Sequence, residues 1–149
     1  MDKVTLDIIW GKLQATSDEM GVVLAKASMS PVIYEVLDFA CGLCDYKGEM
    51  VSVQNGITIF TGTFTDDVKT IMNKFKKNIY EGDIFLLNDP HRSGTHLNDV
   101  SVIKPIFINN KLVSFAISDA HWVDIGGSVT GSMPPQATDI YQEGLQLPG

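Results

Sequence analysis

The chain has 149 residues, 44% of them hydrophobic and 19% charged, with a formal net charge of −7 and a pI of about 4.7. That apolar content supports one buried core and argues against disorder. The acidic balance argues against a nucleic-acid partner, whose phosphates are met by a basic face. No run approaches the roughly 20 apolar residues of a membrane span. Asp2 and Asp7 interrupt the opening MDKVTLDIIWGK, which is not a secretory signal. The expectation is a soluble, cytoplasmic protein with no nucleic-acid and no membrane partner.

In chain order, residues 3–29 predict a long helix. Ile9, Leu13, Thr16, Met20, Val23 and Ala27 recur at spacings of three and four and propose one buried stripe. Pro31 ends it. Residues 36–54 read as a hairpin with Lys47-Gly48 in its turn. Cys41 and Cys44 are too few for a disulfide scaffold. Three residues apart on a strand, they point to opposite faces and read as buried thiols. Thr63, with Asp66 three residues on, predicts a helix N-terminus closed by a capping box. Val68, Ile71, Met72 and Phe75 then give its apolar face, and Lys74, Lys76 and Lys77 suit its C-terminal end.

From Gly82 the period changes to two. DIFLLND predicts a strand running into a loop, and VSVIKPIF and KLVSFAISD predict two strands joined by a turn at Ile108-Asn109-Asn110. Residues 125–139 are a loop rich in Gly, Pro and Ser. Helices followed by sheet give an α+β class: a long N-terminal helix, antiparallel hairpins and a further helix.

Chemistry concentrates at the ends of the last hairpin. His-x-x-Asp occurs twice, as His96 with Asp99 and as His121 with Asp124, in a chain with three histidines. The first pair precedes one strand and the second follows its partner, so an antiparallel hairpin brings them to one end as metal-site loops. Two imidazoles and two carboxylates suit Mn, Fe or Zn and leave positions open to water or substrate. The plainer reading has Asp99 and Asp124 capping turns and the histidines bonded to backbone. Asp89 is a candidate to orient a ligand or move protons, or simply an Asx-turn residue. Arg92 is a candidate for an anionic group, and Trp122 for a pocket wall. No glycine pattern here makes a nucleotide-binding loop.

The stretches LDFACGLCDYKGEMVSVQ, GDIFLLNDPHRSGTHLNDVSVIKPIF, AHWVDIGG and TDIYQEGLQLPG, in this order, resemble the start of the hydantoinase B/oxoprolinase family. The resemblance covers nearly the whole chain, and the NDP…GTHxxD…AHxxDIGG succession is specific. It implies a partner A-type subunit that uses ATP to phosphorylate a cyclic amide, or an enolate in the acetone and acetophenone carboxylases. The B-type subunit then completes hydrolysis or carboxylation on a small-molecule substrate. It also implies a divalent metal (Mn, Zn or Fe) at His96, Asp99, His121 and Asp124. Two positions depart from many members, which carry a second histidine at Trp122 and an arginine at Asp119. Such subunits are several times longer, so the chain reads as the N-terminal part of one, a fragment or split-gene product whose partners include the remainder of the subunit. The reading is a hydantoinase-type B subunit; the alternatives are a carboxylase large subunit and a non-catalytic assembly module.

Overall fold

The computed structural model describes residues 2–54 and 56–149. Helix α1 (Lys3–Ala27) opens on Asp2, whose side chain accepts the Thr5 N–H at 2.9 Å and so satisfies one orphan donor of the first turn. Its contact line differs from the expected stripe. Ser17 and Gly21 are its buried residues, Leu13, Met20 and Leu24 are half-buried, and Ile9, Thr16, Val23 and Ala27 are exposed. Close approach decides this. Ser17 Oγ lies 2.7 Å from Ser52 Oγ, and a Cβ at Gly21 would sit 2.3 Å from the Gln54 side chain. Small residues let the helix backbone come down on the sheet, so the apolar side chains flank the contact. Val4, Leu6, Ile8 and Trp10 are at least half exposed.

A short helix, α2 (Pro31–Tyr34), leads into a hairpin of β1 (Phe39–Asp45) and β2 (Met50–Val53). Its turn is held by Asp45, whose Oδ1 accepts the Lys47 and Glu49 N–H groups, with Gly48 at φ +83°. Cys41 and Cys44 are buried on opposite faces, Cys41 beside Phe39 and Ile33 and Cys44 against Phe60 and Phe64.

Helix α3 (Thr58–Phe75) starts five residues before the expected cap. Thr63 lies inside it, its hydroxyl oxygen 2.9 Å from Phe60 O and 3.0 Å from Asp67 Oδ2. Core burial overrides the capping pattern: Phe60, Phe64, Val68 and Ile71 form one buried stripe. Each such side chain contributes about 1.5–3 kcal/mol of transfer free energy.

Strands β3 (Phe85–Leu87), β4 (Asp99–Ile108) and β5 (Lys111–His121) complete an antiparallel sheet of order β2-β1-β5-β4-β3. The β4–β5 turn is Asn109-Asn110, both left-handed at φ +50° and +61°. That is the two-residue turn whose twist matches the strands. It pairs Ile108 with Lys111; a bulge between Ile106 and Phe107 then shifts the register by one residue and sets Asp99 opposite His121 at the far end. α3 covers one sheet face. α1 and α2 pack on the other, and a smaller cluster of Leu97, Val100 and Ile125 with Ile140 and Leu147 lies under the loops. The α+β architecture is as expected. Among the described residues, no helix is long and apolar enough to cross a membrane.

Candidate metal centre

The register delivers Asp99 and His121 side by side. His96 joins them because Asp99 N–H donates to His96 O (3.1 Å), a tight turn that folds the loop back over the strand end. His96 Nδ1 is 3.0 Å from Asp99 Oδ2 and His121 Nδ1 is 3.1 Å from Asp99 Oδ1. The ring centroids are 5.0 Å apart. One donor atom from each of the three lies within 4.8 Å of the others. The Thr95 hydroxyl donates to Asp99 Oδ2. Burial of the Asp99 carboxyl works to raise its pKa. The close approach of His96, the Thr95 bond, the His96 charge and the His121 bond outweigh this and hold it below the ordinary value. His96 is raised above its ordinary value, chiefly by the close approach of the Asp99 carboxylate and against its own desolvation.

The donor set fits a borderline divalent cation. His96 Nδ1 is buried beside Asp99 without an aligned hydrogen-bond partner among the described residues. Both imidazoles turn a ring nitrogen toward the same carboxylate, the arrangement a shared cation needs.

The other expected site residues fall elsewhere. Asp124 is exposed, and its Oδ1 accepts Gly126 N–H at 2.8 Å; it stands outside the three-residue cluster. Asp89 shapes its own loop. Its Oδ1 accepts His91 N–H (3.0 Å), its backbone carbonyl accepts Arg92, Ser93 and Gly94 N–H, and its Oδ2 meets Arg92 Nε at 3.1 Å. Arg92 is half-exposed. Trp122 lines an open cleft of about 350 Å³ with His121, Asp124 and Ile33, and its backbone N–H and carbonyl are bonded to Asn98 O and Asn98 Nδ2.

Three further carboxyls stand near the site: Asp38 and Asp67, which were not singled out from sequence, and Asp119, noted there only as a position where many family members carry arginine. Asp38 receives the His121 N–H on its carbonyl (3.0 Å), and its charge helps to raise His96. The pairing of Phe39 with Ala120 is the signal that places it there. Asp67 and Asp119 are buried and meet at one hydroxyl: Ser101 Oγ is 2.9 Å from Asp67 Oδ2 and 3.0 Å from Asp119 Oδ2. A hydroxyl has one hydrogen to give, and Asp119 Oδ1 has no partner among the described residues. Burial, then the charges of Asp67 and Asp99, push Asp119 up to about 7. Burial raises Asp67 as well.

A five-stranded antiparallel sheet between helices, with a His-Asp-His cluster at one end, defines an α+β domain carrying a candidate metal centre. The chain belongs to the hydantoinase B/oxoprolinase family, whose profile matches residues 2–149. It is 34% identical to the caprolactamase subunit beta of Pseudomonas jessenii over 99% of this chain and 26% of that protein. The crystal structure of the ATP-dependent caprolactamase from that organism superposes with a TM-score of 0.90 over 98% of this chain and 25% of the other. It is 35% identical to 5-oxoprolinase 1 of Arabidopsis thaliana over 98% of this chain and 12% of that one. Acetone carboxylase, at 23% identity and a TM-score of 0.91 over 98% of this chain and 20% of the other, shares the fold. The chain therefore spans about a quarter or less of the length of these proteins.

Proposed function

We propose that this chain is the metal-binding N-terminal portion of a B-type subunit in an ATP-dependent hydrolase of cyclic amides. The observation that carries this is the convergence of His96, Asp99 and His121 in a family whose relatives include an ATP-dependent caprolactamase and 5-oxoprolinases. His96, Asp99 and His121 hold a divalent cation, Mn, Fe or Zn. When bound, it supplies a Lewis acid for a carbonyl or phosphorylated intermediate, or an activated water.

The chain's own residues do the rest. Asp99 fixes both imidazoles and carries the negative charge that balances the cation. Thr95 holds the Asp99 carboxylate in place. The cleft beside Trp122 admits the substrate to His121. Asp124, on the rim of that cleft, joins the cation only by giving up its bond to Gly126. Asp89 holds or passes a proton, and Arg92 meets an anionic group, each by leaving the other in the loop. ATP is used by an A-type partner subunit, and the remainder of the B-type subunit completes the active site.

The test is reconstitution with an A-type partner and the rest of the subunit, followed by ADP release against hydantoin, 5-oxoproline and caprolactam. Amide-dependent ADP release that His96→Ala abolishes, with the fold intact by circular dichroism, supports the reading. Turnover that is unchanged in His96→Ala sinks the metal role. Turnover that needs a ketone and bicarbonate instead replaces the hydrolase with a carboxylase.

A further inference from the structure

We infer that Asn88 is a positioning residue of this metal centre, a buried amide that fixes where His96 sits. The inference rests on His96 being a metal ligand. Asn88 directly follows β3 and is 1% exposed. Its Nδ2 donates to Leu97 O (2.7 Å) and to Leu145 O (2.9 Å), and its Oδ1 accepts the Leu147 N–H (2.6 Å). Its backbone N–H donates to Leu147 O at 3.0 Å. A primary amide has two donor hydrogens; both are used, on two different segments, so the side chain has one orientation.

The consequence falls on the ligand loop. Leu97 directly follows His96, and its side chain is buried with Val100 and Ile125. On the other side of His96, Gly94 packs on Asn88 itself: a Cβ there would lie 3.3 Å from the Asn88 carbonyl carbon and oxygen. The stretch Gly94–Leu97 is thus closed at both ends against one residue. Among the described residues, no strand or helix runs through 88–98, so the amide does there what a strand ladder does for Asp99 and His121. Removing it leaves the Leu97 carbonyl buried without a donor, which loosens the His96 backbone and leaves the paired strands intact. Groups that orient ligands from outside typically change metal affinity by about 10–100-fold.

The test is a cobalt(II) titration of the whole chain, reading the dissociation constant and the visible absorption spectrum of the saturated protein. Asn88→Asp keeps the shape and, when ionised, removes both donors. Ile103→Val trims a buried residue under α3 and serves as a control for general destabilisation. Asn88→Asp is expected to bind cobalt(II) at least about tenfold more weakly with a shifted spectrum, and Ile103→Val to keep both as in the unaltered chain. Where Asn88→Asp does not fold, Asn88→Ser, which keeps one donor, carries the same comparison with a smaller loss. A folded Asn88 variant with unaltered affinity and spectrum overturns the positioning role alone. If the unaltered chain binds neither cobalt(II), manganese(II) nor zinc(II), the metal reading falls and takes this inference with it.

Discussion

Asp99 and Asp119 sit on neighbouring strands at the same end of one sheet, both buried, and their carboxyls are driven in opposite directions. Burial works to raise both. Asp99 has His96 close beside it and His121 and Thr95 bonded to it, and they hold it below the ordinary carboxyl value. Asp119 has one hydroxyl, already shared with Asp67, and the charges of Asp67 and Asp99 add to its burial and lift it to about 7. Depth alone does not decide whether a buried carboxyl carries charge; the donors around it do. The imidazole-flanked carboxylate is equipped to meet a cation. The hydroxyl-flanked pair is equipped to keep a proton.

The largest expected effect comes from stripping the charge from the first member of that comparison. Asp99→Asn keeps the shape and removes the anionic oxygen, so metal affinity is expected to fall by more than about a hundredfold, beyond the loss typical of an outlying group. Isothermal titration with zinc(II) or manganese(II) measures it, and a loss under tenfold would mean that Asp99 does not hold the metal.

The second member is tested by pH. In the metal-free chain, Asp119 binds its proton more tightly folded than unfolded. Its contribution to stability is therefore complete below the ordinary value of 3.8 and is lost as pH rises through about 7. Asp119→Asn should flatten that decline, so that the variant gains on the unaltered chain between pH 5 and pH 8, a window set by that shift. Urea unfolding at the two pH values reads it; parallel changes in both proteins would contradict it.

Cys41 and Cys44 extend the comparison to buried groups without any donor. Burial pushes both thiols to about 12, and the thiolate is the reactive form. Neither is expected to react with a chromogenic disulfide reagent until urea unfolds the chain. Rapid labelling of the native protein would show that one of them is open to solvent. The smallest effect is expected of Asp124→Ala. Exposed and bonded to Gly126, it should change cobalt(II) affinity by no more than about twofold, the ±0.5 kcal/mol usual for a surface substitution. A tenfold loss would show that it leaves Gly126 to join the cation.

Local patterns made much of this fold legible. The period-two runs, the Asn109-Asn110 turn and the Lys47-Gly48 turn located both hairpins, because each signal is complete within a few residues. The β4–β5 hairpin then carried Asp99 and His121 together. Where tertiary contact decides, the pattern misled. The stripe of α1 runs through Ser17 and Gly21 because the helix lies close on β2, and α3 begins before Thr63 because Phe60 and Phe64 are drawn into the core. Asp38 and Asp67, and the surroundings of Asp119, were out of reach for the same reason. Each comes to the site from a different element, and only the strand order and register set them beside His121 and Ser101. Asp89 and Arg92 look alike from sequence whether they work on a substrate or on their own loop; the distances show them on each other.

The most direct measurement is the metal content of the purified chain by plasma mass spectrometry, alongside Asp99→Asn. Close to one equivalent of Mn, Fe or Zn in the unaltered protein, absent from the folded variant, is the expected result. No metal after exposure to all three ions, or the same content in the variant, would contradict a metal centre at His96, Asp99 and His121.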